Sequence, residues 1–440
     1  MMFANRVLAT GMLLAALAGC SSSPLPQADR EADLSTHSQT VQSATVPEPV
    51  AGQTMPQEVN EVVAIAAPGG QSPPPLPPGT LPAELWQDGW ISLFDGQTLF
   101  GWEKSANTDW HVEDGTIVAE AGEKGLLCTS LPIADYELHV EFMAQPQTNS
   151  GVFLRTPLHP TDPRQDCYEL NIAPADNPFP TGSVVGRLKV DRDTSGTGWR
   201  SFDVTCRGGT IVVRLDGEET LHYEDPAPLK SGLIGLQFNE GRVAFRNIRL
   251  RPLGAVSLFD GTSLDAWRIY PDQPVTVEHD GTVLRLAGGR GMIESKRSYA
   301  NFILQLECRT LASGTNSGVF FRCIPGEMMN GYECQIHNGY RSGDRTQPID
   351  QGTGAIFRRQ SARIVAADDQ AWFGLTIAAV HDRFATWVNG LQVTDWRDDR
   401  PDHDNPRQGR RLKAGTIMFQ GHDPTTRIEF RNIRIIDLDR

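Results

Sequence analysis

The chain of 440 residues has no basic block in either half. That argues against a nucleic-acid partner, because phosphate backbones are bound by clustered Lys and Arg. It has no glycine-rich nucleotide or NAD motif and no CxxC pair, so neither a dinucleotide site nor a zinc ribbon is indicated. No long amphipathic helix can be traced, and the apolar run Val7 to Ala18 is too short to span a bilayer. Residues 21–82 contain no Phe, Trp or Tyr, yet they hold 12 of the 30 prolines, including PPPLPP at 73–78. A segment so poor in apolar bulk cannot offset its chain entropy. It reads as a disordered Pro-rich tether reaching roughly 40–60 Å, with the folded part expected from residue 83.

The residues that are present at the N-terminus look like an export signal. Arg6 precedes the apolar run, and Leu17-Ala18-Gly19-Cys20 resembles a bacterial lipoprotein cleavage site. The expectation is a signal peptide over 1–20, a lipid on Cys20, and anchoring in the cell envelope. Ser21 after the cysteine resembles outer-membrane sorting. Six further cysteines follow, and export permits disulfides. Cys308 and Cys323 flank an Asn-Ser-Gly turn and could face each other across a hairpin; a bridge and buried free thiols are both open.

The chain repeats itself. SLFDG stands at 92–96 and again at 257–261, TNSGVFLR at 148–155 returns as TNSGVFFR at 315–322, and FRNIRL at 245–250 as FRNIRI at 430–435. CYEL at 167–170 is matched by GYEC at 331–334, and TGSVVGR at 181–187 by TGAIFRR at 353–359. The order is kept, so this is a tandem duplication, 83–253 and 255–440, and not a solenoid. Each copy is long enough to bury its own core. Charge divides unevenly: 83–254 carries 25 acids and 15 bases, whereas 255–440 carries 23 of each, 21 of those bases being Arg.

Within each copy the pattern is β. Tyr136–Phe142, Phe302–Glu307 and Arg383–Val388 alternate polar and apolar, and Asp-Gly or Asn-Gly turns recur at 95–96, 114–115, 216–217, 280–281 and 389–390. Short alternating strands with such turns predict antiparallel sheets packed as a sandwich. The ordered set LFDG, NSGVF(L/F)R, YE, TG and FRNI(R) resembles the 3-keto-disaccharide hydrolase family. The resemblance covers both copies. It implies an all-β fold: two tandem concanavalin A-like jelly-roll sandwiches, each with a concave sheet for sugar. It also implies action on glycosides whose C3 hydroxyl has become a ketone.

Side chains alternate along a strand, so Glu333, Gln335 and His337 share one face. Pairing across the NSG turn as a hairpin would add Glu307 and Arg322. The first copy offers Glu141, Arg155 and Glu169 at matching places, with Ala173 where His337 would stand. His422 has no counterpart there. The second copy is therefore the better candidate for catalysis, with Glu333 or His337 as base, Glu307 as the other carboxylate and Arg322 as electrophilic partner. Gln335, Asn316 and His422 are candidate substrate contacts, as are Glu141, Arg155 and Glu169 in the first copy. No metal ligand set stands out, a divalent-cation requirement is left open, and so is the oligomeric state. The expected function is cleavage of a 3-keto glycoside by hydrolysis or by C2-proton elimination. The rival is a surface lectin-like protein that binds carbohydrate without turnover.

Overall fold

A computed structural model describes residues 73–259 and 261–439. The expected signal peptide, the expected lipidation at Cys20 and the expected tether up to residue 72 lie outside the described residues. Two antiparallel sheets build each copy. In the first, a sheet of eight strands includes Tyr136–Ala144, Trp199–Arg207 and Val243–Pro252, and a sheet of five runs Trp102–Lys104, Gly125–Thr129, Leu233–Glu240, Asn149–Thr156, Tyr168–Ile172. The second copy repeats this: an eight-stranded sheet centred on Phe302–Thr310, and a five-stranded sheet in the order Trp267–Ile269, Gly291–Ser295, Thr416–Gly421, Ser317–Cys323, Tyr332–Ile336. These are two jelly-roll sandwiches in tandem. Their cores form where the alternating apolar faces meet: Leu138, Val140 and Phe142 against Val152, Leu154 and Leu170 in the first, and Leu304, Leu306 and Phe373 with Val319, Phe321 and Cys334 in the second.

The connection through Asn-Ser-Gly is not a hairpin. Phe302–Thr310 lies in the large sheet and Ser317–Cys323 in the small one, so the chain crosses the sandwich between them. Cys308 therefore points into the core and Cys323 lies beside Phe320 on the other side of the small sheet. Both are buried free thiols, as are Cys128, Cys167, Cys206 and Cys334.

The copies are not separate beads. Ile303, Ala378, Val380, Ala385, Trp387 and Ile436 of the second copy join the apolar cluster of the first. This explains why Tyr136–Ala144 alternates buried and half-buried positions while Phe302–Thr310 is buried on both faces. The Trp387 indole donates to the Ser92 carbonyl at 3.1 Å, and the Ser92 amide donates to the Gly390 carbonyl at 2.8 Å. Residues 73–82, read from their prolines as the end of the tether, also lie on the second copy: Arg345 Nη2 donates to the Pro74 carbonyl at 2.8 Å, and the Leu81 amide to the Asn389 carbonyl at 2.9 Å. Proline removes donors but leaves carbonyls and a stiff backbone to dock. The Ala83–Gln87 helix then places Trp86 on Gly374, where an added Cβ would come within 2.6 Å of the indole.

A fragment starting at residue 255 loses this cover and presents Ala378, Ala385 and Trp387 to water. It is expected to melt below the intact chain and to co-elute with a 73–253 fragment when the two are mixed. A monomeric 255–440 fragment with an unchanged melting temperature would show the interface to be dispensable.

Candidate functional site

The outward face of the second copy's five-stranded sheet carries the site. Tyr332, Cys334 and Ile336 turn into the core, so Glu333, Gln335 and His337 turn out. Gly318 stands opposite Gln335 and Phe320 opposite Glu333. Val319 faces Phe419 on the other side, which sets Gly318 beside Gln420. Glycine is needed here for space: a Cβ at Gly318 would come within 3.0 Å of Glu333 Oε1. The missing side chain of Gly318 thus leaves room between Glu333, Gln335 and Gln420.

The amides around that space are oriented by one carboxylate. Asn316 Nδ2 and Gln335 Nε2 both donate to Asp350 Oδ2, at 2.6 and 2.7 Å. Their carbonyl oxygens consequently face away, and Asn316 Oδ1, Gln335 Oε1 and Gln420 Oε1 are all buried without a hydrogen-bond partner among the described residues. Buried acceptors normally find a donor. Three unmet acceptors at one place suit a ligand rich in hydroxyl groups. Oxygen ligands also suit hard cations, but among the described residues no three of His, Cys, Asp and Glu gather as metal ligands.

Glu333 is buried, and that raises its pKa; Arg407, whose Nη2 lies 3.1 Å from Glu333 Oε2, acts in the opposite direction. Arg407 also stacks over Phe320 at 5.2 Å. His337 receives a hydrogen bond on Nδ1 from the Gly339 amide at 3.1 Å, and burial lowers its pKa. A neutral ring that accepts at Nδ1 carries its proton on Nε2. His337 therefore offers the site a donor, not a base. His422 is more open, with Nδ1 2.9 Å from Asp423 Oδ2, and its charge acts on both Glu333 and His337.

Four of the residues picked from sequence do not belong here. Glu307 lies on the outer face of the large sheet, bound by Arg431 (Nη2 2.7 Å) and Asn432, in a narrow cleft it shares with Trp86. Arg322 has a left-handed backbone, φ 47°, at a bulge that turns its side chain inward. There it donates to the carbonyls of Ala300, His381 and Arg411 at 2.7, 2.7 and 3.0 Å, and burial pulls its pKa down to about 10. It ties the sheets together and touches no substrate face. Arg155 does the same in the first copy through the carbonyls of Ala134, Gly208 and Leu229. Glu141 is held by Arg246 and Asn247 on the outer face of its own large sheet. In each case the outward-or-inward alternation was read on the wrong sheet or missed a bulge.

Glu169 does sit on the matching face of the first copy. Gly151 stands between Asn171 and Gln237, and Asn171 Oδ1 and Gln237 Oε1 are buried and unpartnered. The arrangement is therefore repeated. Among the described residues no cation pairs with Glu169, and burial pushes its pKa up to about 7 against a hydrogen bond from Gln237. Gln420, Gln237 and Asp350 were not among the sequence candidates; the correspondence of Leu236-Gln237-Phe238 with Phe419-Gln420-Gly421 was the available signal for the two glutamines.

Residues 89–251 and 254–436 each match the 3-keto-alpha-glucoside-1,2-lyase-like domain. A curated protein of Bacteroides thetaiotaomicron called 3-keto-disaccharide hydrolase is 24% identical over 229 residues, 38% of this chain and 79% of its own length. Among solved structures, a Parabacteroides distasonis protein provisionally named a glycosyl hydrolase is 20% identical over 40% of this chain and 99% of its own, with a TM-score of 0.36. A Bacillus subtilis carbohydrate-binding module is 13% identical over 34% of this chain and 95% of its own, with a TM-score of 0.29. With the two matches covering most of the chain, the protein belongs to the 3-keto-alpha-glucoside-1,2-lyase-like domain family, and does so once in each copy.

Proposed function

We propose that the second copy cleaves glycosides whose C3 hydroxyl has been oxidised to a ketone, with Glu333 as the base. The observation that carries this is the buried Glu333 carboxylate beside three buried carbonyl acceptors with no protein partner. Family membership and the relative named 3-keto-disaccharide hydrolase support the ketone. A C3 carbonyl acidifies the C2 proton. Glu333, whose charged form Arg407 favours, takes that proton. The electron pair moves into the C2–C3 bond and the C3 oxygen becomes an enolate, which the Nε2–H of His337 and the guanidinium of Arg407 are suited to stabilise. The enolate then collapses, the C1–oxygen bond breaks, and the departing oxygen takes a proton, for which His422 with Asp423 is placed. The products are an unsaturated 3-keto sugar and a free alcohol; adding water across the new double bond gives net hydrolysis. The mechanism differs from that of paired-carboxylate glycosidases, which pass through an oxocarbenium-like centre.

The first copy repeats the hydroxyl-accepting arrangement but has Ala173 in place of His337 and no cation on Glu169. Those two differences favour sugar binding without turnover there. The test is incubation of the purified chain with a panel of 3-keto glucosides, with and without a chelator. Turnover supports the reading. Saturable binding of plain glycans with no turnover of any 3-keto sugar would leave a lectin-like protein instead. We also propose anchoring in the cell envelope through a lipid on Cys20, on the lipoprotein-like sequence alone. Cys20→Ser is expected to move the protein out of the membrane fraction, and unchanged partitioning would refute it.

A further inference from the structure

The two copies treat one arginine differently, and the difference leaves Arg359, half-buried against the backbone of Arg407, without a carboxylate of its own among the described residues. Tyr168 and Tyr332 open corresponding edge strands, and each donates its hydroxyl to a buried aspartate: Tyr168 to Asp225 and Tyr332 to Asp398, both at 2.7 Å. In the first copy the arginine after the TG turn completes this pair. Arg187 Nη1 lies 2.9 Å from Asp225 Oδ2, and the guanidinium covers the Tyr168 ring at 4.4 Å. The matching residue of the second copy, Arg359, has lost that partner. Arg400 has taken Asp398, with Nε 2.8 Å from one oxygen and Nη2 2.9 Å from the other.

Arg359 is left with backbone carbonyls. It donates to Arg407 at 2.8 Å and to Arg358 at 3.1 Å, and among the described residues no carboxylate lies within ion-pair distance of it. Burial and the neighbouring Arg400 hold its pKa below the usual arginine range, with Arg407 acting in the same direction. Arg407 comes from the same segment as Arg400 and is paired with Glu333. Arg358, exposed at φ 60°, likewise meets no carboxylate among the described residues. Two guanidiniums without a carboxylate partner among the described residues, Arg358 and Arg359, are a receptor for anionic oxygens, which they bind in a planar fork.

We propose that the second copy selects a glycoside bearing an anionic group, a carboxylate or a sulfate ester, which Arg359 and Arg358 bind at the Glu333 end of the sheet. The first copy, with Arg187 committed to Asp225, has no such preference. This rests on the sugar reading of the same site and narrows its substrate class.

The test is calorimetric titration of the intact chain with three forms of one disaccharide: neutral, terminating in a uronic acid, and carrying a 6-sulfate. At least one anionic form is expected to bind about tenfold tighter than the neutral form. That preference is expected to shrink with added salt and to approach unity in Arg359→Gln, while Arg359→Lys keeps part of it. A preference for the uronate alone identifies a carboxylate ligand, and for the sulfate alone a sulfate ester. Equal affinity for all three, or a preference unchanged by salt, would overturn the proposal and leave the sugar reading standing. No binding of any form would overturn both. The salt series needs only the wild-type chain, so the outcome does not depend on a variant that folds.

Discussion

Replacing Glu333 by Gln is expected to lower turnover of a 3-keto glycoside by ~10²–10⁴, the usual worth of a positioned proton-transfer group. The same change at Glu169 is expected to leave turnover within a few-fold. Both residues sit beside a strand glycine and unpartnered amide oxygens. They differ in what surrounds the carboxylate. Glu333 has Arg407 at 3.1 Å, which favours its charged form, His337 on the same strand face, and His422 close enough to act electrostatically on both. Glu169 has no cation and no imidazole at the position of His337, so an enolate formed there would lack donors. Gln keeps the size of Glu and part of its hydrogen bonding, so binding of substrate should persist in both variants. The assay is initial rate on one 3-keto glucoside, with ligand affinity measured in parallel. Loss in Glu169→Gln with Glu333→Gln unaffected would place the reaction in the first copy. Equal loss in both would require two working sites.

The parts of this site that sequence could reveal were those that depend on a single strand. Period-two alternation is enough to put Glu333, Gln335 and His337 on one face, and the duplication is enough to name Glu169 as the counterpart of Glu333. What it could not supply was which sheet a strand joins. The polar, turn-rich TNSG stretch looks like a hairpin, and a hairpin would have paired Glu307 with the site. The strands on either side instead part into separate sheets, a choice set by where their apolar faces find cover. Arg322 and Arg155 were hidden for another reason. Each takes a positive φ, 47° and 50°, which L-residues seldom adopt, and this turns a side chain expected on the surface into the space between the sheets. Their neighbours on the page, Phe-Arg-Cys and Leu-Arg-Thr, give no sign of it. The docking of 73–82 was equally invisible, since prolines that read as tether carry carbonyls that Arg345 can use.

Glu169→Gln is also expected to change how stability depends on pH. Burial raises the folded-state pKa of Glu169 from 4.5 to about 7, with no ion pair to oppose it. The sign follows from proton linkage: between these values the folded chain holds a proton that the unfolded chain has released, so stability falls as pH rises. The contribution is fully present below the unfolded value and is lost as pH climbs through about 7. The gap between the two values corresponds to a loss on the order of 3 kcal/mol, taking each pKa unit as ~1.4 kcal/mol. Gln cannot ionise and escapes that loss. In urea denaturation the variant should therefore gain on the wild type between pH 5 and pH 8, and other titrating groups cancel in the comparison. Glu333→Gln serves as the contrast. Its carboxyl is also raised by burial, but Arg407 opposes the shift, and removing the charge leaves that arginine without its carboxylate. Its gain with pH should have the same sign and be smaller. Parallel stability curves for wild type and Glu169→Gln would mean that Glu169 ionises as readily in the folded chain as in the unfolded one, through water or a cation that reaches it from the open face of the sheet.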